Sequence, residues 1–414
     1  MSWAQTMIYG KEGRMKPIAL VVPWYGDDIK GGAEQACNYL AHSLQRAGAD
    51  VEVLTTCVRE ASADRGKNTM EAGAHVENGI LVRRFPVKAQ DLRLYNPANL
   101  KLYRGEKVTL EEERYYYDED INSPDMYRYI QEHKDVYRCF IFTPYLYGPS
   151  YHGSKACPDN CVMVPCFHDE GYAHMSLTKE MAERMKGLAF LSGPERDLAY
   201  TLYDLSNVHT EVLGTGIDTD WHESCSAAKF REKYQIYHDF ILYAGRKDPG
   251  KKADQLLNYF CKYIAGNPKR DLDLVLIGGG HIEIPKECQG RVHDLGFVSV
   301  EDKHNAYAAC AILCNPSHYE SFSIVIMEAW LAKRPVLVSE HCAVTKNFCL
   351  ETDGGLYFRD YPGFAGTVDY LLDHPQVADQ MGENGFEYVI EHFTHEMIAR
   401  KYLNFLDECL KEEK

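Results

Sequence analysis

The stretch Cys314-Asn315-Pro316-Ser317-His318-Tyr319-Glu320-Ser321-Phe322-Ser323-Ile324-Val325-Ile326-Met327-Glu328 sets two carboxylates eight positions apart across a strand-to-helix turn. The apolar run Ala308 to Cys314 reads as a buried strand, and Asn315-Pro316-Ser317 breaks it. Ser321 or Ser323 is placed to cap a helix that must stop before Pro335. Glu320 then lies in the loop and Glu328 inside the helix, on the face it shares with Ile324 and Leu331. A carboxylate on a stripe that otherwise reads as core needs partners. Two vicinal hydroxyls of a ribose would serve Glu328, and the free amides of Ser321, Phe322 and Ser323 would attract a phosphate. The competing reading is a capped helix whose Glu328 pairs with a neighbouring Lys or Arg.

A second segment, Phe240-Ile241-Leu242-Tyr243-Ala244-Gly245-Arg246, is an apolar strand ending in Gly-Arg, followed by Lys247-Asp248-Pro249-Gly250-Lys251-Lys252 and a helical pattern from Ala253. In an open α/β sheet ligands bind beyond the carboxyl ends of strands, so Arg246 and Lys251 fall where a phosphate would sit. A guanidinium fork and an ammonium together suit a diphosphate; the bland alternative is a solvated loop with surface cations. A third strand, Leu272 to Ile277, ends in Gly278-Gly279-Gly280, and Leu295-Gly296-Phe297-Val298 offers a backbone turn beside an aromatic ring.

The amino-terminal half alternates strands and helices: Ile18 to Pro23 a strand, Gly32 to Ala47 a helix with Ala36, Leu40 and Leu44 on one face, Val51 to Thr55 the next strand. That pattern predicts a doubly wound parallel sheet. Gly31-Gly32 lets the backbone pass close to a ligand or simply turns before a helix, and no G-x-G-x-x-G accompanies it. Phe140-Ile141-Phe142 and Cys161 to Val164 read as later strands, which puts His168 just past a strand end with Asp169 and Glu170 near enough to orient it. Lys186 to Tyr203 reads as the last helical segment of this half. Residues 88–125, dense in tyrosine (Tyr95, Tyr103, Tyr115, Tyr116, Tyr117) and charge, read as an insertion with local helix at Leu110 to Tyr117. Its tyrosines would be free to stack on sugar rings.

The ordered set Ile241 to Arg246, Lys251, Ile277-Gly278-Gly279-Gly280, Leu295-Gly296-Phe297-Val298 and Glu320-x7-Glu328, with Gly31-Gly32-Ala33-Glu34 and His168 upstream, resembles a family-4 retaining glycosyltransferase of GT-B fold. The resemblance implies two Rossmann-like doubly wound parallel-sheet domains facing across a deep cleft. Residues 15–205 would form an acceptor-side domain and 206–390 a nucleotide-sugar domain, joined through a linker at Val212 to Asp218. Residues 391–414 would return as a helix to the first domain, with Met397, Ile398, Tyr402, Phe405, Leu406 and Cys409 as its apolar stripe. Residues 1–14 read as a tail.

It also implies the roles. Arg246 and Lys251 would hold the diphosphate, Glu320 and His168 the donor sugar's hydroxyls, and Glu328 the ribose. Phe297 and Val298 would lie beside the base, with Gly31, Gly32, Gly245, Gly278, Ser321, Phe322 and Ser323 lining the donor. The donor would be a nucleotide-diphosphate sugar, UDP- or GDP-linked, with no cofactor and no metal required. The acceptor would be a glycan or lipid-linked sugar, in polysaccharide or lipopolysaccharide synthesis. Three places depart from the family pattern: Lys252 stands where Gly is frequent, Lys333-Arg334 precede Pro335 in place of a Gly, and His341-Cys342-Ala343-Val344-Thr345 replaces a Gly-Gly turn.

Composition agrees. A chain of 414 residues with 45% hydrophobic residues supports two cores. The net charge of −16 argues against nucleic acid as a partner and against wholesale adsorption to anionic lipid. A local basic patch, Arg83-Arg84 or Lys251-Lys252, would still permit peripheral contact with the inner membrane surface. No stretch approaches the length of a membrane-spanning helix, and residues 1–16 are too polar for a secretory signal. Cys157, Cys161, Cys166 and His168 lack zinc-site spacing, and the 14 cysteines read as reduced thiols of a cytoplasmic protein. Three other readings compete: a sugar-nucleotide epimerase of GT-B fold, a non-catalytic glycan-binding or scaffold protein, and a hydrolase using Glu320 and Glu328 as a carboxylate pair.

Overall fold

The computed structural model describes residues 16–26 and 31–411, so the expected tail at residues 1–14 lies outside the described residues. The first domain runs β1 (Ile18–Val21), α1 (Gly32–Arg46), β2 (Val51–Thr56), β3 (Gly73–Glu77), β4 (Ile80–Phe85), α2 (Leu92–Tyr103), α3 (Leu110–Glu119), α4 (Pro124–His133), β5 (Cys139–Phe142), α5 (Gly148–Lys155), β6 (Cys161–Met163), α6 (Ser176–Glu183), β7 (Gly187–Phe190), α7 (Gly193–Leu202) and β8 (His209–Val212). Its eight strands order β3-β4-β2-β1-β5-β6-β7-β8, all pairs parallel except the edge pair β3 and β4. The central strands are buried along their whole length, as a sheet covered by helices on both faces requires.

The second domain runs α8 (Ala227–Tyr234), β9 (Asp239–Ala244), α9 (Ala253–Gly266), β10 (Leu272–Ile277), β11 (Val292–Gly296), α10 (Val300–Ala309), β12 (Ile312–Asn315), α11 (Ile324–Leu331), β13 (Val336–Ser339), α12 (Ala343–Thr352), β14 (Gly355–Phe358), α13 (Tyr361–Asp373) and α14 (Pro375–His392). Its six strands order β11-β10-β9-β12-β13-β14, all parallel. The two facing doubly wound domains are the GT-B fold that the resemblance implies.

The last helix, α15 (His395–Cys409), returns to the first domain. Ile398, Tyr402, Phe405 and Leu406 are buried on its inner face, and each such burial is worth about 1.5–3 kcal/mol. Ser43 Oγ of α1 lies 2.8 Å from His395 Nδ1, and the Tyr402 hydroxyl donates to the Gly214 carbonyl at 3.1 Å. Gly187 of β7 packs so closely that a Cβ there would lie 2.4 Å from Cys409 Sγ.

Several expectations are corrected. Ala308 and Ala309 belong to α10, and β12 begins only at Ile312; the buried end of one helix and the next strand merge into one apolar run. The segment Lys186 to Tyr203 holds strand β7 before helix α7. Strand β8 lies past residue 205 yet pairs with β7; it is a half-exposed edge strand without an apolar run. Strand β14, which the sequence reading did not pick out, adds a parallel edge to the second sheet beside β13.

The tyrosine-rich stretch is no surface insertion. It forms α2, α3 and the start of α4, and Tyr95, Tyr116 and Tyr117 are core residues. Tyr117 stacks on Tyr151 with ring centroids 4.3 Å apart and bonds Thr178 Oγ1 at 2.8 Å. Arg83 and Arg84 form no basic patch either: Arg83 Nε donates to Glu52 at 2.8 Å, and Arg84 is buried against Glu77 and the Tyr25 carbonyl. Cys261 of α9 and Cys288 are joined by a disulfide, contrary to the all-reduced reading, which had no spacing signature to expose a pair 27 residues apart. The other twelve cysteines, Cys157, Cys161 and Cys166 among them, are free thiols.

Candidate functional site

The strand ends of the second sheet are closed around glycines. Gly245 N donates to the Ile277 carbonyl at 2.9 Å and Gly278 N to the Gly296 carbonyl at 2.8 Å. Gly278 has φ +121°, and a Cβ there would lie 2.1 Å from the Gly245 carbonyl oxygen, so only glycine lets these two strand ends approach. Phe297 covers Gly279 from above, where a Cβ would fall 2.6 Å from its ring, and Val298 packs against the core beside it. Lys247, in the loop whose alternative reading was solvated with surface cations, has a side chain only 1% exposed. Its Nζ donates to the Gly278 carbonyl at 2.6 Å and pairs with Asp294 at 2.8 Å, tying three strand ends together.

Arg246 stands at the mouth of this floor, 62% exposed, with Nε 3.4 Å from Asp248. Burial pushes the Tyr147 hydroxyl of the first domain well above the usual tyrosine range, with Arg65 and Arg246 among the cations opposing it. The Arg246 charge is thus felt at Tyr147 of the first domain.

Lys251 closes the short turn Pro249–Lys251 and reaches Glu320 Oε1 at 2.8 Å. Lys252, the other candidate, adopts φ +54° and starts α9. Glu320 also accepts a longer bond from Asn315 Nδ2 at 3.4 Å. Burial alone would raise its carboxyl, but Lys251 overrides burial and holds it below the usual range, with Asn315 and His168 adding to the effect. Glu320 is thus kept ionised.

His168 comes from the first domain. Its Nδ1 is 3.4 Å from Glu170, and its ring centroid is 6.2 Å from that of Tyr319 on the Glu320 loop. Asp169 does not orient it; that carboxylate meets His174 Nε2 at 2.8 Å. What holds the His168 loop is Glu195, a residue the sequence did not single out. Buried on α7, it accepts from Phe167 N at 2.8 Å and Leu191 N at 2.7 Å. Burial outweighs these donors and pushes its carboxyl up to about 8. The clamped loop includes Cys166 at φ +59°, a left-handed conformation that a non-glycine residue adopts at a cost.

Ser321 lies near enough to the Cys166 thiol of the first domain to oppose the burial that raises it. Phe322 is buried edge-on against Phe348 and Phe393, with centroids 5.5 and 4.9 Å away. Ser323 precedes α11 but does not cap it: at φ +73°, its hydroxyl accepts from Asn315 Nδ2 at 2.8 Å instead.

Glu328 is 2% exposed and already partnered, by Lys303 Nζ at 2.6 Å and the Tyr307 hydroxyl at 2.8 Å. Of the two sequence readings of Glu328, an ion pair with a neighbouring lysine is present. The burial that raises the Tyr39 hydroxyl of α1 is reinforced by Glu328, so this carboxylate also lies near the first domain.

Gly31 crowds Glu34, whose Oε2 would lie 2.0 Å from a Cβ there, whereas Gly32 has open space around it. Glu34 in turn accepts from Trp24 Nε1 at 2.6 Å. Among the described residues no cluster of three or more His, Cys, Asp or Glu is arranged to hold a metal ion, and no helix is long and apolar enough to cross a membrane.

The site thus draws Arg246, Lys251 and Glu320 of one domain toward His168 of the other at the carboxyl ends of two parallel sheets. The sequence profile of the family described as "Glycosyl transferases group 1" matches residues 238–374, which carry all of these but His168. Among curated proteins the chain is 27% identical over 198 residues to a D-inositol 3-phosphate glycosyltransferase of Frankia alni, covering 44% of this chain and 49% of the relative. It is 22% identical over 250 residues, 58% of each chain, to an MMP alpha-(1->4)-mannosyltransferase of Mycolicibacterium hassiacum. The chain spans about half the length of the first of these relatives. Among solved structures, sucrose-phosphate synthase from Thermosynechococcus elongatus superposes with TM-score 0.68 over 95% of this chain and 98% of its own, at 17% identity. Anabaena HepE in complex with UDP and glucose gives TM-score 0.68 over 95% and 100%, at 14% identity. Residues 238–374 thus match the group 1 glycosyl transferases, and 95% of the chain shares the two-domain fold of these solved structures.

Proposed function

We propose that the chain transfers a sugar from a nucleotide-diphosphate sugar to a hydroxyl of a glycan or lipid-linked acceptor, with retention of anomeric configuration. The observation that carries this reading is the meeting of Lys251 and the ionised Glu320 with His168 across the cleft, beside the exposed Arg246. The names of the relatives, and the UDP held by HepE, support a nucleotide-sugar donor.

In this reading residues 206–390 bind the donor and residues 15–205 admit the acceptor. The base lies beside Phe297 and Val298, the diphosphate meets Arg246 and Lys251, and Gly31, Gly32, Gly245 and Gly278 let backbone approach it. The ribose reaches Glu328 by sharing that carboxylate with Lys303. As the glycosidic bond breaks, charge develops on the β-phosphate oxygen, and the fixed cations stabilise the transition state more than the ground state. Attack comes from the leaving-group face, and the departing phosphate takes the acceptor proton. Glu320 and His168 hold the sugar's hydroxyls meanwhile. A hydrolase pair is disfavoured because Lys303 and Tyr307 engage both oxygens of Glu328. We place the reaction in the cytoplasm, in the assembly of a surface polysaccharide or lipopolysaccharide.

The test is product analysis with UDP- and GDP-hexoses and oligosaccharide or lipid-linked acceptors, with and without EDTA. The expected result is nucleotide release that needs an acceptor, survives EDTA and yields a glycoside of the donor's own anomeric configuration. Release without an acceptor would point to an epimerase or hydrolase, and an inverted product would end the retaining mechanism.

A further inference from the structure

Strand β12 lies between β9 and β13 in the second sheet, so the loop that leaves it is flanked by the loops leaving those two strands. Two histidine rings meet there, and the charge of a lysine on the third loop reaches one of them. His318 follows β12 and His341 follows β13, with ring centroids 5.0 Å apart. Lys252 ends the loop after β9, next to Lys251, whose Nζ meets Glu320 two residues past His318 at 2.8 Å. The charges of Lys252 and His341 both act on His318, adding to burial in disfavouring its protonated form.

The surrounding charges are unbalanced. Both nearby carboxylates are committed, Glu320 to Lys251 at 2.8 Å and Glu340 to Lys346 at 2.8 Å. Arg359 adds another cation that Glu340 feels, while Lys252 makes no ion pair among the described residues. Within a chain of net charge −16, this spot therefore carries an excess of positive charge. Moreover, His318 Nε2 is shut off from solvent and has no hydrogen-bond partner among the described residues. A sealed polar atom without a partner costs stability, and the Nε2–H tautomer of the neutral His318 ring would donate to an oxyanion that also meets Lys252. Neither the diphosphate nor the ribose accounts for this group, since Arg246 and Lys251 face the first and Glu328 the second.

We propose that Lys252, His318 and His341 form a subsite for an oxyanion on the transferred sugar, so that the donor is a nucleotide-diphosphate sugar acid of the hexuronate class. The inference rests on the donor reading above and deepens it: the cluster adjoins Glu320, which holds the sugar's hydroxyls, and would receive a carboxylate projecting from the same ring.

Titration calorimetry on the full chain tests it, with UDP, GDP, inorganic phosphate, UDP-glucose, UDP-glucuronic acid and the corresponding guanosine mannose and mannuronic acid conjugates. The expected result is at least about tenfold tighter binding of the sugar acid than of its neutral counterpart, the effect of one charge-assisted hydrogen bond. Lys252→Gly suits the left-handed backbone at that position, so it should fold normally. Both it and the pair His318→Gln with His341→Gln should abolish the preference while leaving affinity for the nucleoside diphosphate unchanged. Equal binding of acidic and neutral donors in the wild type overturns the inference. So does an equal loss of affinity for UDP or GDP alone in the variants, which would assign the cluster to the diphosphate. Competition by inorganic phosphate without any preference between donors would overturn it in favour of a free-anion site. Failure of every nucleotide to bind would instead remove the donor reading and this inference with it.

Discussion

Arg246→Ala lowers turnover by about 10²–10³, the usual loss on removing one donor aimed at developing charge. The side chain is 62% exposed and its contact with Asp248 is long, so the change should leave the fold intact. Thermal stability is therefore expected to match the wild type, as for surface substitutions in general. Arg246→Lys should fall between the two, because a lysine keeps the charge and loses the planar fork that grips two phosphate oxygens. Steady-state assays of transfer, with the melting temperature measured alongside, check this. Wild-type turnover in Arg246→Ala would remove the residue from the mechanism.

Lys303→Met should cost about 3–5 kcal/mol of folding stability, because it strands a carboxylate inside the protein. Glu328 is 2% exposed, and without Lys303 only the Tyr307 hydroxyl would remain to compensate its charge. Lys303 itself is 24% exposed and would lose little by the separation, so the penalty falls on the acid. Adding Glu328→Gln should recover much of the loss, since the amide still accepts from Tyr307 and carries no charge to bury. Urea unfolding of the two single variants and the double variant measures the coupling. A cost below about 1 kcal/mol for Lys303→Met would mean the pair behaves as an exposed one. Bound nucleotide should partly rescue Lys303→Met, because ribose hydroxyls would then satisfy the orphaned carboxylate. This outcome ties the structural pair to the proposed ribose site.

The strands of the second sheet were the most legible part of the sequence. Leu272–Ile277 has the same bounds in both readings, and β9 differs by one residue at its start and two at its end, because strands buried on both faces appear as unbroken apolar runs. Of the missed strands, β3, β8 and β14 lie at sheet edges, where half-exposed residues leave no such run, whereas β4 and the short buried β7 lie inside the first sheet. The tyrosine-rich helices were hidden for a different reason. Their core contacts come from Tyr95, Tyr116 and Tyr117, and from Glu113, which is buried yet satisfied by the amides of Ser176 and Leu177 at the start of α6. A buried carboxylate that accepts distant backbone N–H groups looks like a surface acid in sequence, and the same disguise concealed Glu195.

At the site, Arg246, Lys251, Glu320 and His168 were legible as positions beyond strand ends. Their pairing was not, since choosing Lys251 over Lys252 as the partner of Glu320 depends on where the left-handed turn at Lys252 aims each side chain. The structural role of Lys247 and the meeting of His318 with His341 depend on which strands are neighbours in the sheet, an order that no local spacing encodes.

The central claim is that the cleft holds a nucleotide-diphosphate sugar on Arg246, Lys251 and Glu328. Thermal unfolding of the full chain with UDP, GDP, ADP and their sugar conjugates, each with Mg²⁺ and with EDTA, tests it most directly. The account predicts an upward shift selective for one base and unchanged by EDTA, equivalent to about 2.7 kcal/mol when the ligand stands at a hundred times its dissociation constant. No shift with any nucleotide at millimolar concentration would contradict it.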